Sequence, residues 1–143
     1  MPFLVDTHVL VYRYDGRFPD KQRVATALLR DGLTSGEAWL SHQAVLEMVA
    51  ALTRSRGGEA PLMAGDEAGR EAEELLHQFR VLYPDEEVLR LAIRGWATYQ
   101  LSWFDAHMWA TAERFGFDTL CSEDFQHQRI YGSVRVIDPF ASI

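Results

Sequence analysis

Four places in the chain put carboxylates where a strand ends or where apolar residues crowd. Asp6 follows the apolar run Phe3-Leu4-Val5, Glu47 stands among Val45, Leu46, Met48 and Val49, and Asp105 follows Trp103 and Phe104. Glu123 and Asp124 come directly after Thr119-Leu120-Cys121 and Ser122. A carboxylate taken out of water is costly unless a base or a cation pairs with it. Several brought together cannot all stay ionised without a cation, because each raises the pKa of the next. An oxygen-only set of ligands suits a hard divalent ion, Mg²⁺ or Mn²⁺, over zinc. Such an ion makes a water more nucleophilic and neutralises charge on a phosphate under attack, so the set fits hydrolysis of phosphodiesters without a covalent intermediate.

Those residues need a scaffold that gathers them. The spacing predicts strands at Phe3–Val5, Glu37–Ser41, Arg80–Tyr83, Thr119–Cys121 and Val134–Ile137, the last as a terminal edge strand closed by Asp138-Pro139. Between them it predicts helices. One follows Asp6, with Thr7 as its cap, and another runs from Lys21 to Arg30 and ends at Gly32. A third runs from His42 to about Arg54, a fourth from Asp66 to Phe79, and a fifth from the acidic turn Asp85-Glu86-Glu87 to about Tyr99. A sixth is opened by Asp105 and stopped by Gly116, with Met108, Ala112 and Phe115 facing inward. The stretch from Ser55 to Gly65, with Gly57-Gly58 and Pro61, reads as a mobile loop. Strands alternating with helices predict an α/β fold, a mainly parallel sheet with helices on both faces. In such sheets ligands sit at the carboxyl ends of strands, and Asp6, Glu123 and Asp124 stand there. Helical spacing places Glu47 beside Gln43 and Ala51, off the Val45–Met48–Leu52 stripe, so it can face a cleft while its neighbours pack.

Composition narrows the class. The 143 residues fit one domain, 1–143, with the 48% hydrophobic and 24% charged make-up of a globular protein. No apolar run is long enough to span a membrane and no signal peptide is evident, so the expected location is cytoplasmic. The single cysteine, Cys121, excludes an internal disulfide and a multi-cysteine zinc site, and it is expected simply to pack. A net charge of −7 argues against holding long nucleic acid by charge alone, although an acidic metal site biases that count. Lys21 is the only lysine; the other basic residues are arginines.

Taken in order, Leu4-Val5-Asp6-Thr7, Ser41-His42-Gln43-Ala44-Val45-Leu46-Glu47, Ser102-Trp103-Phe104-Asp105-Ala106 and Ser122-Glu123-Asp124-Phe125 resemble the motifs of a PIN domain. Within that superfamily the chain is similar to the VapC ribonuclease toxins of bacterial toxin–antitoxin pairs, from Phe3 to about Phe140. The resemblance implies a three-layer α/β/α fold with about five strands in the order 3-2-1-4-5. It also implies a Mg²⁺- or Mn²⁺-dependent endoribonuclease whose catalytic and metal-binding quartet is Asp6, Glu47, Asp105 and Asp124. Asp6 and Asp105 would be the principal ligands, Glu47 and Asp124 would complete the site through water or a second ion, and Ser122 would orient it. Glu123 matches a variable position and receives no role. His8 stands where many relatives carry asparagine. It lies near the expected site, as do His42 and His107, and packing or capping is the plainest role for all three.

The resemblance further implies an RNA substrate, a cognate VapB-like antitoxin whose C-terminal segment lies in a groove and reaches the acidic site, and a homodimer. Trp39, Trp103, Trp109, Phe18 and Tyr12 offer large apolar surface, either for the core or for a partner. Rival readings fit less well. A phospho-receiver domain needs a lysine near its aspartate, and a haloacid-type phosphatase needs a second aspartate at position 8, which is His8. A structure-specific DNA nuclease of the same core usually carries insertions that this chain has no room for. A catalytically inactive PIN fold serving in RNA binding or assembly is the alternative from a different class.

Overall fold

The computed structural model describes residues 1–143. Its strands are β1 (Phe3–Val5), β2 (Ala38–Ser41), β3 (Arg80–Leu82), β4 (Thr119–Cys121), β5 (Ile130–Tyr131) and β6 (Val134–Ile137). Its helices are α1 (Thr7–Tyr12), α2 (Pro19–Ser35), α3 (His42–Thr53), α4 (Gly65–Gln78), α5 (Glu86–Tyr99) and α6 (Trp103–Arg114). The six strands form one sheet in the order β3-β2-β1-β4-β6-β5. All neighbours run parallel except β5 and β6. The expected strands appear in the expected order. The sixth, β5, is a two-residue strand that pairs with β6 and takes the edge from it.

Successive strand residues face opposite sides, and the register shows what each side meets. Phe3 pairs with Ala38, and Gly32 of α2 comes so close that an added Cβ would sit 2.5 Å from Ala38 Cβ and 3.2 Å from Phe3 Cζ. On the opposite face, Trp39 meets Phe117 edge-on at 5.4 Å and Ser41 Oγ lies 3.5 Å from Met108 Sδ of α6. Helices therefore cover both faces, giving the three-layer α/β/α architecture. Its core includes Leu4, Val5, Leu40, Leu120 and Val136, each fully buried.

Several boundaries differ from the sequence expectation. The helix α2 starts at Pro19, two residues early, and runs past Gly32 to Ser35. Gly36, at φ 74°, is the left-handed cap, and Gly32 is there for close packing instead. Asp6, not Thr7, caps α1 by accepting from Thr7 N. Ser102 caps α6, so Asp105 lies in its first turn rather than at its start. Gly116, at φ 77°, ends that helix as expected, but Phe115 is only half-buried. The segment from Ser55 to Gly65 is tied down by an Arg56–Glu59 bridge and by Met63, which is buried and donates to Leu52 O. Cys121 is buried, free, and pushed up to about 12 by that burial, so it packs and is inert. No helix is long and apolar enough to cross a membrane.

Candidate active site

The chain leaves β1 toward β2 on one side and returns through β4 on the other, so β1 and β4 flank the point where the strand order reverses. Asp6 follows β1 and Ser122 follows β4, both at the carboxyl edge of the sheet. Backbone bonds extend the ladder beneath them: Asp6 N donates to Cys121 O at 3.0 Å and Ser122 N to Ile137 O at 3.0 Å. Above that edge, Asp6, Asp105 and Asp124 bring carboxylate oxygens within 4.8 Å of one another. Together with Thr7, His8, Gln43, Glu47 and Arg54 they line a cavity of about 160 Å³.

Each carboxylate is held differently. Asp6 is 4% exposed; its Oδ1 accepts from Thr7 N at 2.6 Å and its Oδ2 from Ser122 Oγ at 2.5 Å. Burial pushes the Asp6 carboxyl up to about 6, against the opposing pull of Ser122. Ser122, itself fully buried, also accepts from Asp124 N at 3.1 Å, so one hydroxyl locks two of the acids together. Burial raises Asp105 as well, with Asp124 and Glu47 adding repulsion. Glu47 lies on the same cavity wall but outside the tight group of three. Its Oε1 accepts from Gln43 Nε2 at 2.8 Å, as helical spacing predicts for residues four apart. Gln43 also donates to Phe104 O at 2.9 Å and meets His107 Nδ1 at 2.7 Å, so it ties α3 to α6.

The histidines separate. His8 neither packs nor caps: half-exposed, its Nδ1 lies 3.1 Å from Asp124 Oδ2 and 3.7 Å from Glu123 Oε1. The bond to Asp124 outweighs partial burial and pulls His8 up to about 9. His107 is pushed down by burial. His42 stacks at a tilt on Tyr83, 5.4 Å between centroids. Glu123, without a role in the sequence reading, is fixed at both oxygens, by Tyr12 OH at 2.6 Å and by Lys21 Nζ at 2.8 Å.

The donor set fits a hard divalent cation. Its three clustered ligands are all carboxylate oxygens, with no sulfur among them. The buried hydroxyl Thr7 Oγ1, on the same cavity wall, has no hydrogen-bond partner. A hydrated ion would supply partners for such a group. Sequence reasoning missed Gln43, Thr7, Arg54 and the Tyr12–Lys21 clamp. Only Gln43 left a trace, through its spacing from Glu47.

Fold and site together define a class: an α/β domain carrying a cleft at a topological switch point, lined by carboxylates that could hold a cation. The family model for the PIN domain matches residues 3–133, and the chain belongs to the PIN domain family, a family of nucleases. No curated protein matches it by sequence. Among solved structures it is similar to FitAcB from Neisseria gonorrhoeae, at 23% identity and TM-score 0.66, covering 97% of this chain and 99% of that one. It is also similar to VapC20 of Mycobacterium tuberculosis, described as a toxin that cleaves the sarcin–ricin loop, at 17% identity and TM-score 0.65, covering 82% and 86%. A toxin–antitoxin complex from Klebsiella pneumoniae matches at 18% identity and TM-score 0.67, covering 95% and 96%. At these identities the likeness is one of fold.

Proposed function

We propose that the chain is a Mg²⁺- or Mn²⁺-dependent endoribonuclease of the VapC type, a toxin acting in the cytoplasm and held inactive by a cognate antitoxin. The observation that carries this reading is the convergence of Asp6, Asp105 and Asp124, with ligand oxygens within 4.8 Å, at the switch point of a PIN fold. The structural relatives described as toxins and toxin–antitoxin complexes support its finer part.

In this reading Asp6, Asp105 and Asp124 hold the ion, and Glu47, on the same cavity wall, completes the site through water or a second ion. When bound, the ion supplies a more acidic water and neutralises charge building on the phosphate. The protein's own contribution is preorganisation. Ser122 fixes the Asp6 and Asp124 carboxylates relative to each other. Gln43 fixes Glu47. His8, with Nδ1 3.1 Å from Asp124 Oδ2, places a ring edge beside the three acids. That ring is positioned to donate to a phosphate oxygen.

The antitoxin reading has a groove to work with. A cavity of about 460 Å³ is lined by Leu46, Ala50, Pro84, Trp103 and Phe104 and shares Gln43 and Glu47 with the acidic cleft. An apolar segment ending in an arginine would fill the groove and neutralise the cleft at once. A homodimer is part of the same proposal. Leu89, Ile93 and Trp96, all half-exposed, lie along one side of α5, and sedimentation at tens of micromolar reads the state.

The first test is incubation of the purified protein with total bacterial RNA and Mg²⁺ or Mn²⁺, beside EDTA and Asp105→Asn controls. Discrete cleavage that both controls abolish is expected. Intact RNA with either ion, from folded protein free of a copurified inhibitor, would move the chain to the inactive assembly module.

A further inference from the structure

Beside the acidic cleft lies a second cavity, of about 190 Å³, lined by Tyr12, Arg17, Phe18, Arg54, Arg56 and others. The two adjoin: His8, Ala51 and Arg54 belong to both walls. Arg54 stands at that junction for a reason visible along α3. Gln43, Glu47, Ala51 and Arg54 recur at helical spacing on one face, so the residue just beyond the last turn continues the wall that Glu47 begins.

The chain has 14 basic side chains. Thirteen are engaged: each makes an ion pair or a hydrogen bond, or lies over an aromatic ring. Arg54 does none of these. It is exposed and shares a cavity wall with Asp6, Glu47, Asp105 and Asp124, yet it pairs with no carboxylate. Behind it the wall is basic. Arg17 chelates Asp15 through Nε at 2.9 Å and Nη2 at 2.8 Å, and Arg56 Nη1 lies 3.8 Å from the same carboxylate, which is 3% exposed. Three arginines against one aspartate leave a positive excess, in a chain whose net charge is −7. Arg56 Nε is buried without a partner. At the rim, Phe18 is 44% exposed; one edge contact goes to Tyr12 at 5.7 Å, and Arg17 lies over the ring at 5.4 Å.

We infer that this second cavity is a nucleotide subsite. Arg54, backed by Arg56, holds a phosphate of the strand next to the bond being cut, and the Phe18 ring stacks against a neighbouring base. The inference rests on the nuclease reading and adds to it the residues that grip the substrate. A row of carboxylates repels a phosphodiester strand until cations intervene. An unpaired guanidinium at the edge of that row gives the strand an anchor that does not depend on the bound ion. Arginine beside an exposed aromatic ring is the usual single-strand combination, charge for the backbone and a π-face for a base of any kind. An acidic peptide would use the arginines but has no use for the ring.

The test measures binding, so it stands apart from cleavage. A short fluorescein-labelled single-stranded RNA is titrated, with Mg²⁺ present and salt varied, against the Asp105→Asn protein, which leaves the RNA whole. In that background Arg54→Gln is expected to weaken binding about tenfold and to reduce the slope of log Kd against log salt by about 0.7, one phosphate contact on a single strand. Arg54→Lys keeps the slope and loses part of the affinity. Phe18→Ala weakens binding about tenfold and leaves the slope alone, as expected for a stacking contact that carries no charge. RNA binding by the Asp105→Asn protein with a slope that Arg54→Gln does not change overturns the subsite and leaves the nuclease reading standing. No RNA binding at any salt by the Asp105→Asn protein overturns the subsite, and cleavage of RNA by the unsubstituted protein then decides the nuclease reading separately. A labelled oligoglutamate bound more tightly than the RNA, with a slope that falls in Arg54→Gln, overturns the nucleotide assignment in favour of an acidic peptide.

Discussion

Ser122 shows how much of the site depends on one small side chain. Its hydroxyl has a single proton, and the Asp6 carboxylate takes it at 2.5 Å, while its lone pairs receive the Asp124 backbone. A hydrogen bond to a charged group contributes about 1.5–3 kcal/mol, and here it favours the ionised form of Asp6 that a cation needs. Ser122→Ala should therefore push Asp6 higher still, and the affinity for Mn²⁺ should fall by about tenfold or more. Calorimetric titration at neutral pH reads the change, and unchanged affinity would remove Ser122 from the site. At this scale the acids were legible in the sequence because their chemistry is unusual where they stand: a carboxylate after Phe3-Leu4-Val5 asks for an explanation. Lys21, Tyr12 and Arg54 were not. A lysine in an early helix carries no sign that it will reach Glu123, 102 residues away, and an arginine at a helix end resembles any solvated arginine. Only the folded chain shows which cations have partners and which one lacks them.

The elements carry the acids by close packing, and glycines mark the tightest places. Asp105 rides on α6, which is held against α5 by Trp109; that indole is buried and donates to Tyr131 O at 2.9 Å. Gly95 of α5 faces it so closely that a Cβ would lie 2.3 Å from Trp109 Cζ3. Alanine in a helix gains about 1 kcal/mol over glycine. Overpacking costs about 1–3 kcal/mol, and the indole, wedged between Tyr99 and Tyr131, has little room to yield. Gly95→Ala should thus destabilise the protein in urea and weaken ion binding through Asp105. Gly69→Ala, on the exposed side of α4 with nothing within 4 Å, should stabilise it by up to about 1 kcal/mol. If both substitutions stabilise, the α5–α6 contact is looser than its geometry. The same logic explains where the element reading failed. Gly32 looked like a helix stop because glycine usually is one, but here the missing side chain serves the approach of α2 to Ala38, a tertiary fact. The strand β5 has two residues, too short for any period to show, and exists because β6 offers it an edge.

For the whole molecule, the site sets how stability depends on pH. In the metal-free protein Asp6 sits at about 6, above the 3.8 of a free carboxyl. Between those values the folded chain keeps a proton that the unfolded chain has released, so stability falls as pH rises through the window. The loss is on the order of 3 kcal/mol for this nearly inaccessible group. Asp105, also raised, works in the same direction. His8 adds a second decline. Raised from 6.5 to about 9, it contributes stability that is complete below 6.5 and lost as pH rises through 9. The metal-free chain is therefore expected to be most stable in mild acid and to weaken toward alkali. A divalent ion held by the cleft would reverse this trend, because it would bind only the ionised acids and its stabilisation would grow with the ratio of ion to dissociation constant. Melting curves taken in EDTA and in Mn²⁺ should coincide well below the Asp6 pKa and separate by several degrees above it. Asp6→Asn removes the Asp6 part of the decline and the stabilisation by the ion. It should melt higher than the parent in EDTA at neutral pH, because no charge is buried, and the ion should no longer raise it. A gap between the EDTA and Mn²⁺ curves that stays constant across pH, or that survives Asp6→Asn, would mean the cation binds elsewhere and that the carboxylates at the switch point are structural.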